Sequence, residues 1–240
     1  MRLVVYTIIF FIVIGGIGMY LGSRKVDKAA ARQRWLKYVV YILITSFVVC
    51  SIWFHFFLPV VLLIVLAGYF ELSRTISLTG HAWKALSVYS LIIAGFVYYA
   101  VSFQREFQFF IYLQVLALDA FSQVVGQLIG KRAIASRISP SKTVEGLMGG
   151  IGFAILASLL TAKVVHISIP LAIAFGLFTA LTGFAGDLLA SLYKRIAGIK
   201  DYSNLLPGQG GFLDRFDGFM MAAFCYSLVY LSMPHLLTYE

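Results

Sequence analysis

The chain has 240 residues, of which 61% are hydrophobic and only 12% charged, whereas a soluble domain is about half apolar and a quarter charged. Its 19 Lys and Arg against 10 Asp and Glu give a net charge of +9. The basic residues fall in short blocks between long apolar runs, which excludes a nucleic-acid-binding surface and marks the cytoplasmic loops of a membrane protein. Cys50 and Cys225 both lie inside apolar segments and read as small hydrophobes, not as a disulfide.

Uncharged apolar runs of roughly 18 or more residues predict transmembrane helices. The sequence predicts about eight, over 3–20, 38–55, 57–72, 86–103, 108–130, 146–165, 169–192 and 216–236. This is an all-α, polytopic transmembrane helical bundle that lies in the lipid bilayer. The first run has one Arg ahead of it and no evident small-residue cleavage site, so it is expected to stay as a spanning helix. The stretch from Tyr38 to Tyr69 is too long for one helix, and His55 and Pro59 offer a place to break it.

Charge then sets the expected orientation. Six basic residues lie in 21–37, two in 73–85, four in 131–145, and Lys194, Arg195, Lys200 and Arg215 in or beside the loop after the seventh span. With eight spans these four loops share one side, expected to be the cytoplasm, and hold 16 of the 19 basic residues. Residues 1–105 are nearly motif-free N-terminal transmembrane helices, whereas 106–240 carry most of the polar residues that need explaining.

The fifth span carries Asp119, and Ser122, Gly126 and Gly130 follow as a stripe of small residues suited to close helix approach. A carboxylate inside a span is costly and points to a functional site. Next come Ser139, Pro140, Ser141, Lys142, Thr143 and Glu145. Thr143 is placed to cap a helix with Glu145 in its first turn. The hydroxyls, the ammonium and the helix start then form either an anion site or an ordinary cap with a solvated lysine.

The third segment is the richest. Asp187, Ser191 and Lys194 share a helix face at offsets of four and seven. Lys200-Asp201, the turn Pro207-Gly208-Gln209-Gly210-Gly211, and Asp214-Arg215-Phe216-Asp217 follow. Carboxylates with a hydroxyl suit Mg²⁺, glycines let backbone amides approach a ligand, and the cations suit polyphosphate. Carboxylates and cations at one membrane face imply phosphoryl or nucleotidyl transfer.

These residues resemble the phosphatidate cytidylyltransferase (CDP-diacylglycerol synthase) family. Ser191, Lys194, Arg195, Lys200, Asp201, Pro207, Gly208, Gly210, Gly211, Asp214, Arg215 and Asp217 match its signature at the family's spacing. So do Asp119 seven before Gly126, Gly130-Lys131, Ser139-Pro140, Lys142-Thr143 and Glu145-Gly146. The likeness covers about 110–217. It departs at Gln209, where the family has histidine, at Tyr193 in an aliphatic slot, and at Ala190, where members often carry an acid.

The resemblance implies an enzyme of the inner membrane with its active site facing the cytosol. It would turn CTP and phosphatidic acid into CDP-diacylglycerol and pyrophosphate, with residues 106–240 as the catalytic domain. The lipid phosphate attacks the α-phosphorus in line and is already ionised, so no strong base is needed. By similarity, Asp187, Asp214 and Asp217 are expected to hold Mg²⁺, with a second cation left open. Lys194, Arg195, Lys200, Asp201, Arg215 and Gln209 are expected to be catalytic. Ser139, Lys142, Thr143, Asp119, Ser191, Gly210 and Gly211 are expected to bind substrate. Gln209 is expected to donate a hydrogen bond to CTP or pyrophosphate and to take no part in proton transfer. A homodimer is left open. Two other readings compete: a divergent paralogue that binds CTP or anionic lipid without efficient turnover, and a transporter that uses Asp119 and Asp187.

Overall fold

A computed structural model describes residues 2–24, 26–76 and 82–237, without the side chains of 76, 82–84 and 235. Lys25 and residues 77–81 of the expected basic loops lie outside the described residues. The elements are α1 (Arg2–Ser23), α2 (Lys28–Trp53), α3 (Phe57–Ile76), α4 (Ala82–Ser102), α5 (Arg105–Ile129), β1 (Ala133–Ala135), β2 (Ser139–Thr143), α6 (Val144–Thr161), α7 (Ile169–Ile196) and α8 (Phe212–Ser232). Short 3₁₀ turns follow α6 at Ala162–Val164 and α8 at Pro234–Leu236. The first seven helices are long and apolar enough to cross a membrane. The eighth spans 21 residues and carries Asp214, Arg215 and Asp217 near its start. The protein is thus an all-α, multi-pass membrane protein.

The expected break falls at His55, which adopts a left-handed φ of 62° between α2 and α3. Helix α2 begins ten residues earlier than its apolar run. Its first two turns are Lys, Arg, Ala and Gln, all strong helix formers, and the Asp27 carboxylate accepts from Ala30 N at 3.3 Å at the helix start. The basic segment expected as a 21–37 loop is therefore mostly helical. Arg34 turns back from it to donate to the Gly22 carbonyl at 2.8 Å, answering an acceptor at the end of α1. The segment expected as a 131–145 loop contains an antiparallel hairpin, with Ala133 opposite Thr143 and Ala135 opposite Ser139.

The chain divides into two compact units. One comprises Met1–Thr45 and Phe109–Leu181, the other Ser46–Gln108 and Thr182–Glu240. In the first unit Phe121 stacks on Phe153 at 3.6 Å between centroids, and Phe11 meets Phe121 edge-on at 5.6 Å. The small-residue stripe works as the sequence implies. A Cβ on Gly146 would lie 2.7 Å from the Ser122 carbonyl, and one on Gly150 would fall on the Ser122 hydroxyl and 2.8 Å from the Leu118 carbonyl. Helices α5 and α6 thus touch backbone to backbone. Buried Gln114 is satisfied locally: it donates to Phe110 O at 3.0 Å and accepts from the Thr179 hydroxyl at 2.8 Å.

In the second unit α3, α4 and α8 pack on one another. Their shared core is aromatic: Phe96 and Tyr99 meet Phe219 edge-on at 5.2 and 5.9 Å. The Ser227 hydroxyl donates to Gly95 O at 2.7 Å and joins α8 to α4. This bundle fixes the start of α8.

The α5–α6 contact gives a direct test. Gly150→Val should lower stability by about 1–3 kcal/mol, the scale of overpacking, read as a drop in melting temperature of the detergent-purified protein. Gly152→Ala, where an added Cβ meets nothing within 4 Å, should leave melting within a degree or two. Equal melting of both variants would show that the two helices do not approach closely.

Candidate active site

The second unit carries the loop from α7 to α8. Helix α7 ends in Lys194 and Arg195, cations that suit the negative end of a helix. Gly198, at a φ of +69°, turns the chain out of it, and Ile199 N donates to Lys194 O at 2.9 Å. Arg195 donates to Ile199 O at 3.3 Å. Arg195, Lys200 and Asp201 are exposed, whereas Ser191 and Lys194 are buried.

Two carboxylates organise the other end of the loop. Glu71, on α3, is wholly buried. Its Oε1 accepts from the Ser203 hydroxyl at 2.6 Å and from Phe212 N at 2.9 Å, and its Oε2 accepts from Leu213 N at 2.8 Å. Asp214 Oδ2 accepts from Gly211 N at 2.9 Å and Tyr202 N at 2.8 Å, while its Oδ1 accepts from Lys194 Nζ at 2.6 Å. The first amides of α8 are therefore answered from inside the protein. This explains the glycines. A Cβ on Gly211 would strike the Glu71 carboxylate, and one on Gly210, whose φ is +85°, would lie 2.9 Å from Asp214 Oδ2. Gly210 and Gly211, expected to meet substrate, wrap these two carboxylates.

The Lys194–Asp214 pair is shielded, with side chains 11% and 5% exposed. The ring of Tyr202 lies beside it, its centroid 5.4 Å from Lys194 Nζ, within reach of a cation–π contact. Burial pushes the Tyr202 phenol well above its ordinary range, and the Asp217 and Asp214 carboxylates push it the same way. It therefore stays a neutral hydroxyl at physiological pH. Arg215 donates from NH1 to Gln209 Oε1 at 2.8 Å, so the side-chain carbonyl of Gln209 is an acceptor for a neighbouring cation.

Asp187 and Asp217 lie beside one crossing of α7 and α8. A Cβ on Gly186 would be 2.8 Å from Asp217 O, and one on Gly218 would be 3.0 Å from Gly183 O. Asp217 Oδ1 accepts from Gly218 N at 2.7 Å. Asp217 also forms part of the wall of an otherwise apolar cavity of about 470 Å³, lined by Leu72, Val88, Leu189, Leu192 and Met220 among others. Among the described residues no group of three or more His, Cys, Asp and Glu gathers around a common point for an ion. Both oxygens of Asp214, expected to hold Mg²⁺, are engaged by Lys194 and by backbone amides. Asp187 and Asp217 fit a hard cation that takes one or two carboxylates and completes its shell with water and phosphate oxygens.

The remaining expected residues belong to the first unit. Thr143 caps α6, its hydroxyl accepting from Gly146 N at 3.1 Å. Glu145 Oε2 accepts from Lys131 N at 2.9 Å and Arg132 N at 3.2 Å, closing the base of the hairpin. Ser139 is buried in β2, Lys142 is half-buried in the same strand, and Asp119 is half-buried on α5. Sequence reasoning missed Glu71 and Tyr202. Glu71 had a signal, an acid at the end of an otherwise apolar span. Tyr202 had none, since its part depends on tertiary contacts.

Fold and site define a polytopic helical membrane protein with carboxylates and cations gathered where one helix begins. Within that class the chain belongs to the cytidylyltransferase family, whose sequence model matches residues 105–233. It is similar to the phosphatidate cytidylyltransferases of Staphylococcus epidermidis, Bacillus subtilis and Aquifex aeolicus, with identities of 38%, 39% and 34% over 130, 126 and 139 residues. These stretches cover 52%, 51% and 57% of this chain and 50%, 47% and 52% of the relatives. The match thus spans about half the length of each relative.

Glu71→Ala should lower stability by several kcal/mol, because each buried partner left unsatisfied costs about 1–3 kcal/mol. Glu71→Gln, which keeps one acceptor oxygen, should cost less, and Gly211→Ala should destabilise in the same direction. Thermal melting in detergent checks the series. A Glu71→Ala protein that melts like the parent would show that α8 does not need this anchor.

Proposed function

We propose that this protein is a CTP-dependent phosphatidate cytidylyltransferase, making CDP-diacylglycerol and pyrophosphate. The observation that carries the reading is the apolar cavity with Asp217 in its wall. It sets room for an acyl chain beside a carboxylate suited to a cation. Its volume lies in the range of about 300–1,000 Å³ typical of ligand sites. The family match and the named relatives support the same reaction.

In this reading a phosphate oxygen of phosphatidate attacks the α-phosphorus of CTP, a new P–O bond forms, and the bond to the β-phosphate breaks to release pyrophosphate. The attacking oxygen is already ionised, so this chain supplies position and charge rather than a base. Asp187 and Asp217 would hold Mg²⁺, which would supply charge neutralisation of the polyphosphate and polarisation of the phosphoryl group. Asp214 holds Lys194 beside the start of α8 as a charge-neutral pair, and Arg215 supplies positive charge there. Arg195, exposed at the end of α7, and Lys200, exposed on the loop, meet the nucleotide phosphates as it arrives. Asp201 keeps its family-implied catalytic role. For Ser139, Lys142, Thr143, Asp119 and Ser191 we keep the role implied by the family likeness, substrate binding. The basic loops support a site that faces the cytosol from the inner membrane.

Pyrophosphate release by the purified protein should require CTP, phosphatidate and a divalent cation, and should stop on adding EDTA. Asp187→Ala and Asp217→Ala should each cut turnover at least about a hundredfold, the scale for losing one electrostatic stabiliser, with little change in melting temperature. Asp214→Ala should lose both turnover and stability. Parental turnover in Asp187→Ala would place the cation elsewhere. Orientation has its own check: a cysteine put at Ser136 should react with an impermeant maleimide only after the cells are opened. Labelling from outside intact cells would reverse the assignment.

A further inference from the structure

Gln209 sits in a turn that the chain fixes on both sides. Its N–H donates to Leu206 O at 2.9 Å, and Leu206 N donates to Gly210 O at 2.8 Å. Gly208 and Gly210, its two neighbours, have φ of +73° and +85°, a backbone that side-chain-bearing residues rarely adopt. From this short turn the side chain of Gln209 reaches the first turn of α8. There its Oε1 accepts from Arg215 NH1 at 2.8 Å. Both residues are half-buried. The same helix start holds a second cation by different means: Lys194 is bound by the carboxylate of Asp214 at 2.6 Å.

The two holds differ electrically. A carboxylate fixes a cation and cancels its charge. An amide oxygen fixes a guanidinium by a hydrogen bond, adds no charge, and does not titrate. Arg215 presents five donors in a planar fork, and a bond at one NH1 proton sets the plane of the others. Chain direction matters too. Arg215 directly follows Asp214, whose oxygens pin Lys194 and the Gly211 and Tyr202 amides. The guanidinium is therefore anchored through its backbone by the Asp214 network and at its tip by Gln209.

We infer that Gln209 is a positioning residue, whose side-chain carbonyl holds the Arg215 guanidinium in one orientation toward a phosphate of the nucleotide. The inference rests on the cytidylyltransferase reading. It stands beside the expectation that Gln209 itself donates to CTP or pyrophosphate, because Oε1 accepts from Arg215 while the donor is the side-chain nitrogen. Because the acceptor is neutral at every working pH, this hydrogen bond to Arg215 does not change with pH.

The test is kcat and KM for CTP, across pH, for full-length parent, Gln209→Met, Gln209→Glu and Gln209→His. Gln209→Met keeps length and removes the acceptor. It should lower kcat/KM about tenfold or more, the scale of a hydrogen bond to a charged group, with melting unchanged. In an Arg215→Met background, with turnover followed at high enzyme concentration, the same change should cost nothing further. Gln209→Glu keeps the acceptor and adds a negative charge, so it should bind Arg215 but raise KM for CTP. In Gln209→His a neutral ring nitrogen can accept from Arg215, and a protonated ring repels it. That variant alone should lose activity on the acid side, near the reference histidine value of about 6.5. An active parent with Gln209→Met equal to it overturns this inference alone. So does an undiminished loss in the Arg215→Met background, or a Gln209→His variant with the parent's pH profile. A parent that releases no pyrophosphate overturns the cytidylyltransferase reading and this inference with it.

Discussion

A helix begins with backbone N–H groups that have no partner inside the helix, and in an apolar protein they cannot be left unanswered. At the start of α8 two carboxylates answer them. Glu71 reaches across from α3 to the Phe212 and Leu213 amides, and Asp214 folds back to the Gly211 amide. Negative charge is favoured there by the helix dipole as well. The loop from α7 to α8 is arranged around this double anchor. Gly211 has no side chain because Glu71 occupies its place. Ser203 and Tyr202 are drawn in by the same two acids. Lys194, at the end of α7, is fixed because Asp214 still has an oxygen to offer.

That arrangement changes the meaning of the glycine-rich turn. From the sequence it reads as a phosphate cradle whose amides approach a ligand. In the structure the Gly211 amide is engaged by Asp214 and the Gln209 amide by Leu206 O, while Glu71 takes the Phe212 and Leu213 amides that follow, so the turn holds side chains in place. The charged side chains then carry the chemistry. A buried ion pair contributes little net stability, but losing one partner of such a pair costs about 3–5 kcal/mol. Lys194 and Asp214 therefore stand or fall together, and a variant at either position reports on folding as much as on turnover. Asp187 and Asp217 are better reporters of the reaction, because they lie beside the α7–α8 crossing rather than in the Lys194–Asp214 pair.

The helices were largely legible because hydropathy decides them: each apolar run became a helix, and His55 broke the longest one. Their ends were less legible. Helix α2 extends into a basic stretch because Lys, Arg, Ala and Gln favour helix in any surroundings, and charge alone cannot separate a loop from an interfacial helical turn. The hairpin at 133–143 carries no alternating apolar pattern, so nothing announced it. In the candidate site, residue types and spacing singled out Asp187, Lys194, Asp214, Arg215 and Asp217, yet spacing could not reveal pairing. That Asp214 binds Lys194, and that Gln209 accepts from Arg215, depends on how a loop folds back across the start of a helix. Glu71 lies 140 residues before the turn it supports. Only the packing of α3 against α8 connects them.

The most direct measurement follows the α-phosphorus of CTP. Purified protein is supplied with Mg²⁺, phosphatidate in mixed micelles, and CTP labelled at that atom. Label should pass into the organic-extractable lipid in equal amount to the pyrophosphate released, and neither product should form when phosphatidate is left out. Label that stays in water as CMP or CTP while the protein is folded and binds the nucleotide would contradict cytidylyl transfer to lipid.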